Sequence, residues 1–274
     1  SFFIFLNEII NQINWTVDTT LLGIISGTAA TAIYGVGSQI NQYYMALSTS
    51  ISGVFTPQIN RIVARGEGDE QLTKLFTRVG RIQFMLLMLV LTGFVFVGEP
   101  FICAWGGEEY GAAYWIALLL IAPVTVPLIQ NIGIEIQRAK NMHQFRSKVY
   151  FCMAIGNALV SIPLGMKFGG IGCALGTAIS MVVGNGFIMN WYYQTHIGLD
   201  MRYFWKHILS IVPAMLPAVA LGIIAVRLHT FTGYAGVVTF AVPYAAVYAV
   251  GLYLFAMDES EKNMVRGVMR KIRR

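Results

Sequence analysis

The basic residues of this chain fall in alternate gaps between long apolar stretches. The chain has 19 Lys and Arg residues, and nearly all lie in one set of gaps or in the C-terminal tail, whereas the opposite set of gaps holds only Lys167 and Arg227. Loops rich in Lys and Arg stay on the cytoplasmic side when a membrane protein inserts. A soluble protein has no reason to sort its cations in this way, so the pattern predicts a polytopic membrane protein.

The apolar stretches are long enough to be transmembrane helices. Hydrophobic residues make up 56% of the chain and charged residues 12%, too few charges for a water-exposed surface. A helix needs about 20 apolar residues to cross a bilayer, and long runs that are apolar all round exclude a membrane barrel. We therefore predict an all-α membrane bundle of about eight transmembrane helices, over residues 1–25, 29–57, 82–104, 112–137, 149–167, 170–193, 208–228 and 235–257.

The same pattern orients the chain. Eight spans place both ends on one side, and the basic gaps identify that side as the cytoplasm, so we expect a multi-pass protein of the cell membrane with both termini of this chain cytoplasmic. The net charge of +6 then reflects topology and anionic lipid headgroups, not nucleic acid. Two amphipathic segments, residues 72–84 and 262–274, are predicted to lie on the inner membrane surface.

Catalytic and metal-binding patterns are not visible in the sequence. The 3 cysteines and 4 histidines have no spacing typical of a zinc site, and there is no P-loop or nucleophile elbow. We therefore predict neither an enzyme nor a metal centre. Position 1 is Ser and lies at the start of an apolar span, so we expect a fragment whose N-terminal half has been removed.

Polar residues form a stripe on the first predicted span. Asn7, Asn11, Asn14 and Asp18 recur at spacings of 4, 3 and 4 residues, which places them on one face of a helix. Polar groups inside a bilayer usually face a cavity or one another. We predict that the three asparagines line a polar cavity and that Asp18 is its ionisable group; the alternative is hydrogen bonding between helices.

The second span mixes aromatic and amide side chains. Tyr34, Ser38, Asn41 and Gln42 could contact a sugar, because pyranose rings stack on tyrosine and sugar hydroxyls bond to amides. Simple packing is the alternative. In the fourth span, Pro123 and Pro127 predict a bend, since proline interrupts the hydrogen bonds of a helix.

The fifth and sixth spans are predicted to form a tight hairpin around residues 165–172. Ser161 and Thr177 are symmetric about Gly169, so they lie at similar depth, and Asn157 is one turn from Ser161. Asp18 lies at a comparable depth, roughly 12–14 Å from the outer turn at 1.5 Å per residue. These four side chains make an oxygen-rich set that could hold a small hard cation or a proton.

The run NALVSIPLGMKFGGIGCALGTAIS, residues 157–180, resembles the corresponding hairpin of polysaccharide flippases in the multidrug/oligosaccharidyl-lipid/polysaccharide superfamily. The first span and the segments TAIYGVGSQINQYY and FTPQINRIVARGEGDE resemble the seventh and eighth helices of those lipid-linked oligosaccharide exporters. The resemblance covers nearly the whole chain. It implies a six-helix C-terminal lobe over residues 1–196, two additional transmembrane helices over 197–257 and a basic cytoplasmic tail over 258–274.

The resemblance also implies a mechanism. Flippases of this kind rock two lobes around a cavity and move a polyprenyl-pyrophosphate glycan to the outer leaflet, so the partners would be that substrate, the bilayer and the missing N-terminal lobe. Some relatives couple transport to Na⁺ or H⁺ through residues that match Asp18, Asn157 and Thr177, whereas Ser161 stands where relatives can carry Asp. The spans supply no central Arg or Lys for the pyrophosphate, so that cation is expected from the missing lobe.

Three alternatives stay open at this stage. A multidrug/cation antiporter of the same superfamily would have an apolar, aromatic-lined cavity. A polysaccharide polymerase would have a long external loop with catalytic residues, and the sequence has none. A structural or regulatory membrane subunit would tolerate Asp18→Asn.

Overall fold

The structure is a computed structural model that describes residues 19–20 and 22–272. Within that part of the chain the secondary structure is helical, with no β-strand. The polar stripe of Asn7, Asn11, Asn14 and Asp18 lies outside the described residues. The predicted all-α polytopic bundle is confirmed.

Nine main helices follow one another through the described residues, and the connections between them are short. They are α1 (Gly27–Arg65), α2 (Asp69–Gly106), α3 (Ala113–Ile129), α4 (Ile132–Ala139), α5 (Gln144–Met181), α6 (Met201–Leu209), α7 (Val212–Leu228), α8 (Gly233–Phe255) and α9 (Glu259–Ile272). A 3₁₀ turn, Glu108–Tyr110, connects α2 to α3. Beyond α5 the chain stays helical through the wide-turned π segments Val182–Met189 and Tyr193–Ile197.

Four continuous helical stretches among the described residues are long and apolar enough to cross a membrane, and α3 with α4 makes a fifth if this bent pair is one span. One of the four, Gln144–Ile197, contains both arms of the predicted hairpin. Helix α1 is long enough, at 39 residues, but is too polar to qualify by composition. Most of the first predicted span lies outside the described residues.

The hairpin reverses at Gly169. This residue has φ 59° and ψ −137°, a backbone conformation that glycine adopts at little cost because it has no Cβ. The first arm (residues 144–168) and the second arm (residues 170–197) then run antiparallel. A Cβ on Gly172 would lie 1.9 Å from the carbonyl oxygen of Leu164, and one on Gly176 would lie 2.2 Å from Ser161 Oγ. Glycine therefore allows the two arms to touch through their backbones.

The prolines of the fourth span produce the predicted bend. Helix α3 contains Pro123 and Pro127 and ends at Ile129, and the axis turns by 42° before α4 continues. Proline lacks the N–H that would close the preceding turn. The polar residues Gln130 and Asn131 lie at the point where the helix changes direction, and Gln130 is buried there, where its Nε2 donates to Asn190 Oδ1 at 3.0 Å.

The segment at residues 72–84 is not a separate surface helix, as its amphipathic pattern predicted. It is the first part of α2, and its apolar residues Leu72, Phe76 and Val79 are buried in the main core. Phe76 packs on the Phe204 ring of α6, with ring centroids 4.7 Å apart. The apolar stripe faces other helices of this chain instead of lipid headgroups.

The last two long helices pack on α2. Helices α7 and α8 contact each other and α2, and the Tyr248 hydroxyl of α8 donates to the Met85 carbonyl at 2.8 Å. Gly222 of α7 faces the Phe96 ring so closely that a Cβ would lie 2.4 Å from it. The division of the chain into a six-helix lobe, an added pair and a tail stays a prediction.

Candidate functional site

The hairpin brings three of the four predicted coupling residues together. Asn157 and Ser161 lie on the first arm and Thr177 on the second, and all three are buried, with 3%, 0% and 5% of their surface exposed. Asn157 Oδ1 accepts hydrogen bonds from Ser161 Oγ at 2.8 Å and from Thr177 Oγ1 at 3.2 Å. We call these three residues the hairpin cluster.

The sequence explains why these side chains meet. Asn157 and Ser161 are four residues apart and so share a helix face, while the close approach at Gly176 places Thr177 across from them. Ser161 Oγ also contacts the Cys173 carbonyl at 3.3 Å. The cluster is therefore a polar bridge between two membrane helices whose backbones are almost in contact.

The chemistry of the hairpin cluster is that of neutral oxygen ligands. An amide oxygen and two hydroxyls can contribute to a cation site, but none carries charge. Within the described residues no three His, Cys, Asp or Glu side chains gather as a metal site would require. A cation here would depend on the carboxylate of Asp18, which lies outside the described residues, so the ion-coupling role of these four residues stays a prediction.

A cavity of about 300 Å³ opens beside the hairpin cluster. Asn157 and Thr177 line it at one level, Arg146 and Tyr150 line it nearer the start of the first arm, and Gln130 borders it from the α3–α4 break. The cavity thus joins the cluster to the end of the bundle where the basic residues lie, which we call the basic end. Its size falls at the lower limit of small-molecule sites.

Methionines form much of the apolar wall of this cavity. Met45, Met153, Met181 and Met189 all border it. Met has three rotatable bonds and a polarisable sulfur, so it adapts to apolar ligands of different shape. The cavity therefore has one polar side and one apolar wall whose methionine side chains can change conformation to fit a ligand.

The residues predicted to line a cavity from the second span have other positions. Tyr34, Ser38 and Asn41 are buried on the face of α1 that packs on α3, and Gln42 is exposed on another face. None of these four borders the 300 Å³ cavity, which α1 lines with Met45 and Thr49 instead. Helix rotation is the reason, since the face at 34, 38 and 41 is the one that α3 covers. Their contact with substrate stays a prediction.

Hydrogen bonds between helices account for other polar residues of α1. Gln83 Nε2 of α2 donates to Ser48 Oγ at 2.9 Å and to Ser52 Oγ at 2.7 Å, and Ser48 Oγ donates to the Leu128 carbonyl of α3 at 2.7 Å. Tyr44 and Thr125 share a further bond of 2.8 Å between their hydroxyls. These bonds tie α1 to α2 and α3 in a region where apolar contact gives little preference for one partner.

Sequence reasoning missed the cavity residues at the basic end. The sequence places Arg146 in a basic gap between spans and predicts only that the spans supply no central Arg or Lys. In the structure Arg146 lies at the start of the first arm, where it borders the cavity one helical turn before Tyr150. The expectation that a central cation comes from the missing lobe stays a prediction. The Arg-Tyr spacing of four residues was a usable signal, but the partner on the second arm, Asn185, could only be found from the hairpin's packing.

These features define a polytopic helical membrane protein with a polar cluster and cavity inside an otherwise apolar bundle. Comparison with known proteins extends this description. A family model described as "Polysaccharide biosynthesis protein" matches residues 1–115. A protein described as a probable flippase, AglR, from Haloferax volcanii is 26% identical over 174 residues, which make up 62% of this chain and 36% of that protein.

Both matches support the resemblance of this sequence to the polysaccharide flippase family. The chain spans 36% of the length of the flippase it matches. No solved structure matches the chain.

Proposed function

We propose that this chain is the C-terminal part of a flippase that moves a polyprenyl-pyrophosphate-linked oligosaccharide from the inner to the outer leaflet of the cell membrane, for cell-surface polysaccharide synthesis. The observation that carries the proposal is the buried hairpin cluster opening onto a cavity that reaches the basic end. The matches to a polysaccharide biosynthesis family and to a probable flippase support it. A further N-terminal lobe would close the pathway, because alternating access needs two bodies that move against each other.

In this proposal the hairpin cluster couples transport to an ion. The carboxylate of Asp18 supplies the charge, and Asn157, Ser161 and Thr177 supply neutral oxygens for Na⁺ or a relay for H⁺. Because relatives can carry Asp at the position of Ser161, a site with Ser there holds one charge fewer. We expect such a site to favour a proton or a weakly held Na⁺.

The test is outer-leaflet export of lipid-linked glycan in a flippase-deficient strain that carries the full-length gene, with Thr177→Val compared against Thr239→Val. Both changes replace a hydroxyl with a methyl group of similar size. Thr177 Oγ1 donates to Asn157 across the hairpin, whereas Thr239 Oγ1 bonds the Ala235 and Gly236 carbonyls of its own helix. We expect Thr177→Val to lower export at least tenfold at equal abundance and Thr239→Val to leave it unchanged.

The other outcomes separate the alternatives. Asp18→Asn should abolish export if the carboxylate couples the cycle, and equal export would rule out that role. Failure of the wild type to export several glycans, together with lowered drug accumulation, would indicate the multidrug antiporter. If Thr177→Val and Asp18→Asn both export as much glycan as the wild type, the hairpin cluster only holds the two arms together.

A further inference from the structure

The basic end of the cavity carries a cation that is held in place by neutral groups. Arg146 Nη2 donates to the Tyr150 hydroxyl at 3.1 Å, and the guanidinium carbon lies 4.6 Å from the centre of the Tyr150 ring. The Tyr150 hydroxyl in turn donates to Asn185 Oδ1 at 2.9 Å. The second arm of the hairpin therefore positions an arginine that the first arm carries.

Arg146 has no carboxylate within 4 Å among the described side chains. Three other cations at this end have one: Arg81 pairs with Glu261, Arg138 with Glu135 and Lys140 with Asp69. Cations such as Lys148 and Arg202 have none in the described part of the chain, but their side chains are exposed to solvent. Arg146 is partly buried and borders the cavity. A guanidinium fixed beside a concave polar surface without a counter-charge is suited to bind an anion, and its planar donor fork matches phosphate oxygens.

We propose that Arg146 binds the diphosphate of a polyprenyl-diphosphate substrate at the basic end of this cavity, with Tyr150 and Asn185 as positioning residues. This assignment rests on the proposed function. A cavity of about 300 Å³ has room for the diphosphate and the first groups attached to it. The adaptable wall that includes Met153 and Met189 would contact the apolar part next to the phosphates.

The position of Arg146 also relates the anion site to the hairpin cluster. Asn157 lies eleven residues further along the same arm, or about 16 Å at 1.5 Å per residue, and both residues border the same cavity. Tyr150 and Asn185 bond across the two arms between these levels. A change in how the arms pack would therefore move the arginine and the cluster together.

The experiment measures binding to the purified full-length protein in lipid nanodiscs by calorimetry, with farnesyl diphosphate, inorganic pyrophosphate and farnesol as probes. We expect farnesyl diphosphate to bind and Arg146→Gln to weaken that binding tenfold or more, because a charge-assisted contact is lost. Arg146→Lys should retain part of the affinity. Tyr150→Phe keeps the ring but loses both hydroxyl bonds, so it should weaken binding by a smaller factor, and an Arg146→Gln/Tyr150→Phe double variant should be no weaker than Arg146→Gln.

Lys148→Gln is the matched control, since it removes a cation two residues away whose side chain is exposed. Unchanged binding in Lys148→Gln with loss in Arg146→Gln supports the site. Wild-type affinity in Arg146→Gln, or equal loss in both variants, overturns it. Equal affinity for inorganic pyrophosphate and farnesyl diphosphate would identify a free-anion site and would overturn the lipid headgroup assignment, as would equal affinity for farnesol.

Failure of this inference can be told apart from failure of the proposed function. If the wild type exports glycan and Arg146→Gln exports equally well, the flippase stands and the anion site is wrong. If Arg146→Gln loses diphosphate binding but the wild type exports no lipid-linked glycan, the anion site stands with another substrate and the proposed function fails.

Discussion

Arg81 and Glu261 form a buried two-pronged ion pair between helices that lie far apart in the sequence. Arg81 Nε and Nη2 donate to the two carboxylate oxygens at 2.8 and 2.9 Å, and only 8% and 4% of the two side chains are exposed. The guanidinium also donates to the carbonyls of His207 and Ala256 at 2.9 and 2.7 Å. One arginine of α2 therefore fixes the ends of α6 and α8 and the start of α9.

Glu261 also caps the helix that it anchors. Its carboxylate accepts from the backbone N–H of Asp258 at 2.9 Å, while the Asp258 carboxylate accepts from the N–H of Glu261 at 2.7 Å. This reciprocal pattern is a capping box, which satisfies N–H groups that the first turn leaves free. Glu261 therefore caps the N-terminus of α9 and also attaches this helix to α2 through Arg81.

Removing either member of this pair should destabilise the protein strongly. Arg81→Ala or Glu261→Ala leaves the other charge buried without its partner, which costs about 3–5 kcal/mol. Thermal unfolding of the full-length protein in detergent measures the change. Lys74→Ala is the control, because Lys74 and Glu70 form an exposed pair at 2.6 Å that contributes little. Equal unfolding temperatures for Arg81→Ala and Lys74→Ala would contradict the prediction.

The two arms of the hairpin should not tolerate a methyl group at their contact. In Gly176→Ala the new Cβ would lie 2.2 Å from Ser161 Oγ and 2.9 Å from the Ser161 backbone, so the arms must separate, at a cost of about 1–3 kcal/mol. Gly156→Ala lies on the same hairpin with no atom within 4 Å of its Cβ. It should be neutral or stabilising, since Ala is the better helix former. The same unfolding assay compares the two variants, and equal stability would show that the arms can move apart freely.

Tyr248 should contribute to the docking of α8 on α2. The side chain is 1% exposed, and Tyr248→Phe removes the bond to the Met85 carbonyl while keeping the ring. We expect a loss of about 1 kcal/mol in unfolding free energy. Tyr234→Phe is the matched control, because Tyr234 is 55% exposed. A loss of the same size in both variants would mean that the bond to Met85 contributes nothing specific.

The orientation predicted from the basic gaps can be tested by cysteine labelling. In a full-length protein without native cysteines, Lys167→Cys lies beside the hairpin turn and should react with a membrane-impermeant maleimide in intact cells. Arg202→Cys lies at the basic end and should react only after permeabilisation. The reverse result would invert the topology, and labelling of both in intact cells would contradict the proposed membrane placement.

Part of this architecture followed from sequence because the bilayer imposes it. Long apolar runs predicted the helices, since a chain in hydrocarbon must satisfy its own backbone hydrogen bonds. The prolines of α3 predicted the bend, and the symmetry of Ser161 and Thr177 about Gly169 predicted that they would lie at one level. The depth of a residue in a helical hairpin depends only on its distance along the chain from the turn. The sequences of the two arms and the turn are therefore enough to predict which residues lie at the same level.

The contacts between distant helices were decided only by the tertiary structure. Sequence showed Arg81 and Arg146 as equivalent members of basic gaps, yet the first is buried against Glu261, 180 residues away, and the second borders a cavity. Likewise, the polar residues of α1 could serve a cavity or a helix contact, and only the packed structure shows that Ser48 and Ser52 accept hydrogen bonds from Gln83 of α2. Lipid is as apolar as the helix faces it surrounds, so hydrophobicity does not mark which face is buried, and close packing together with polar bonds makes that choice.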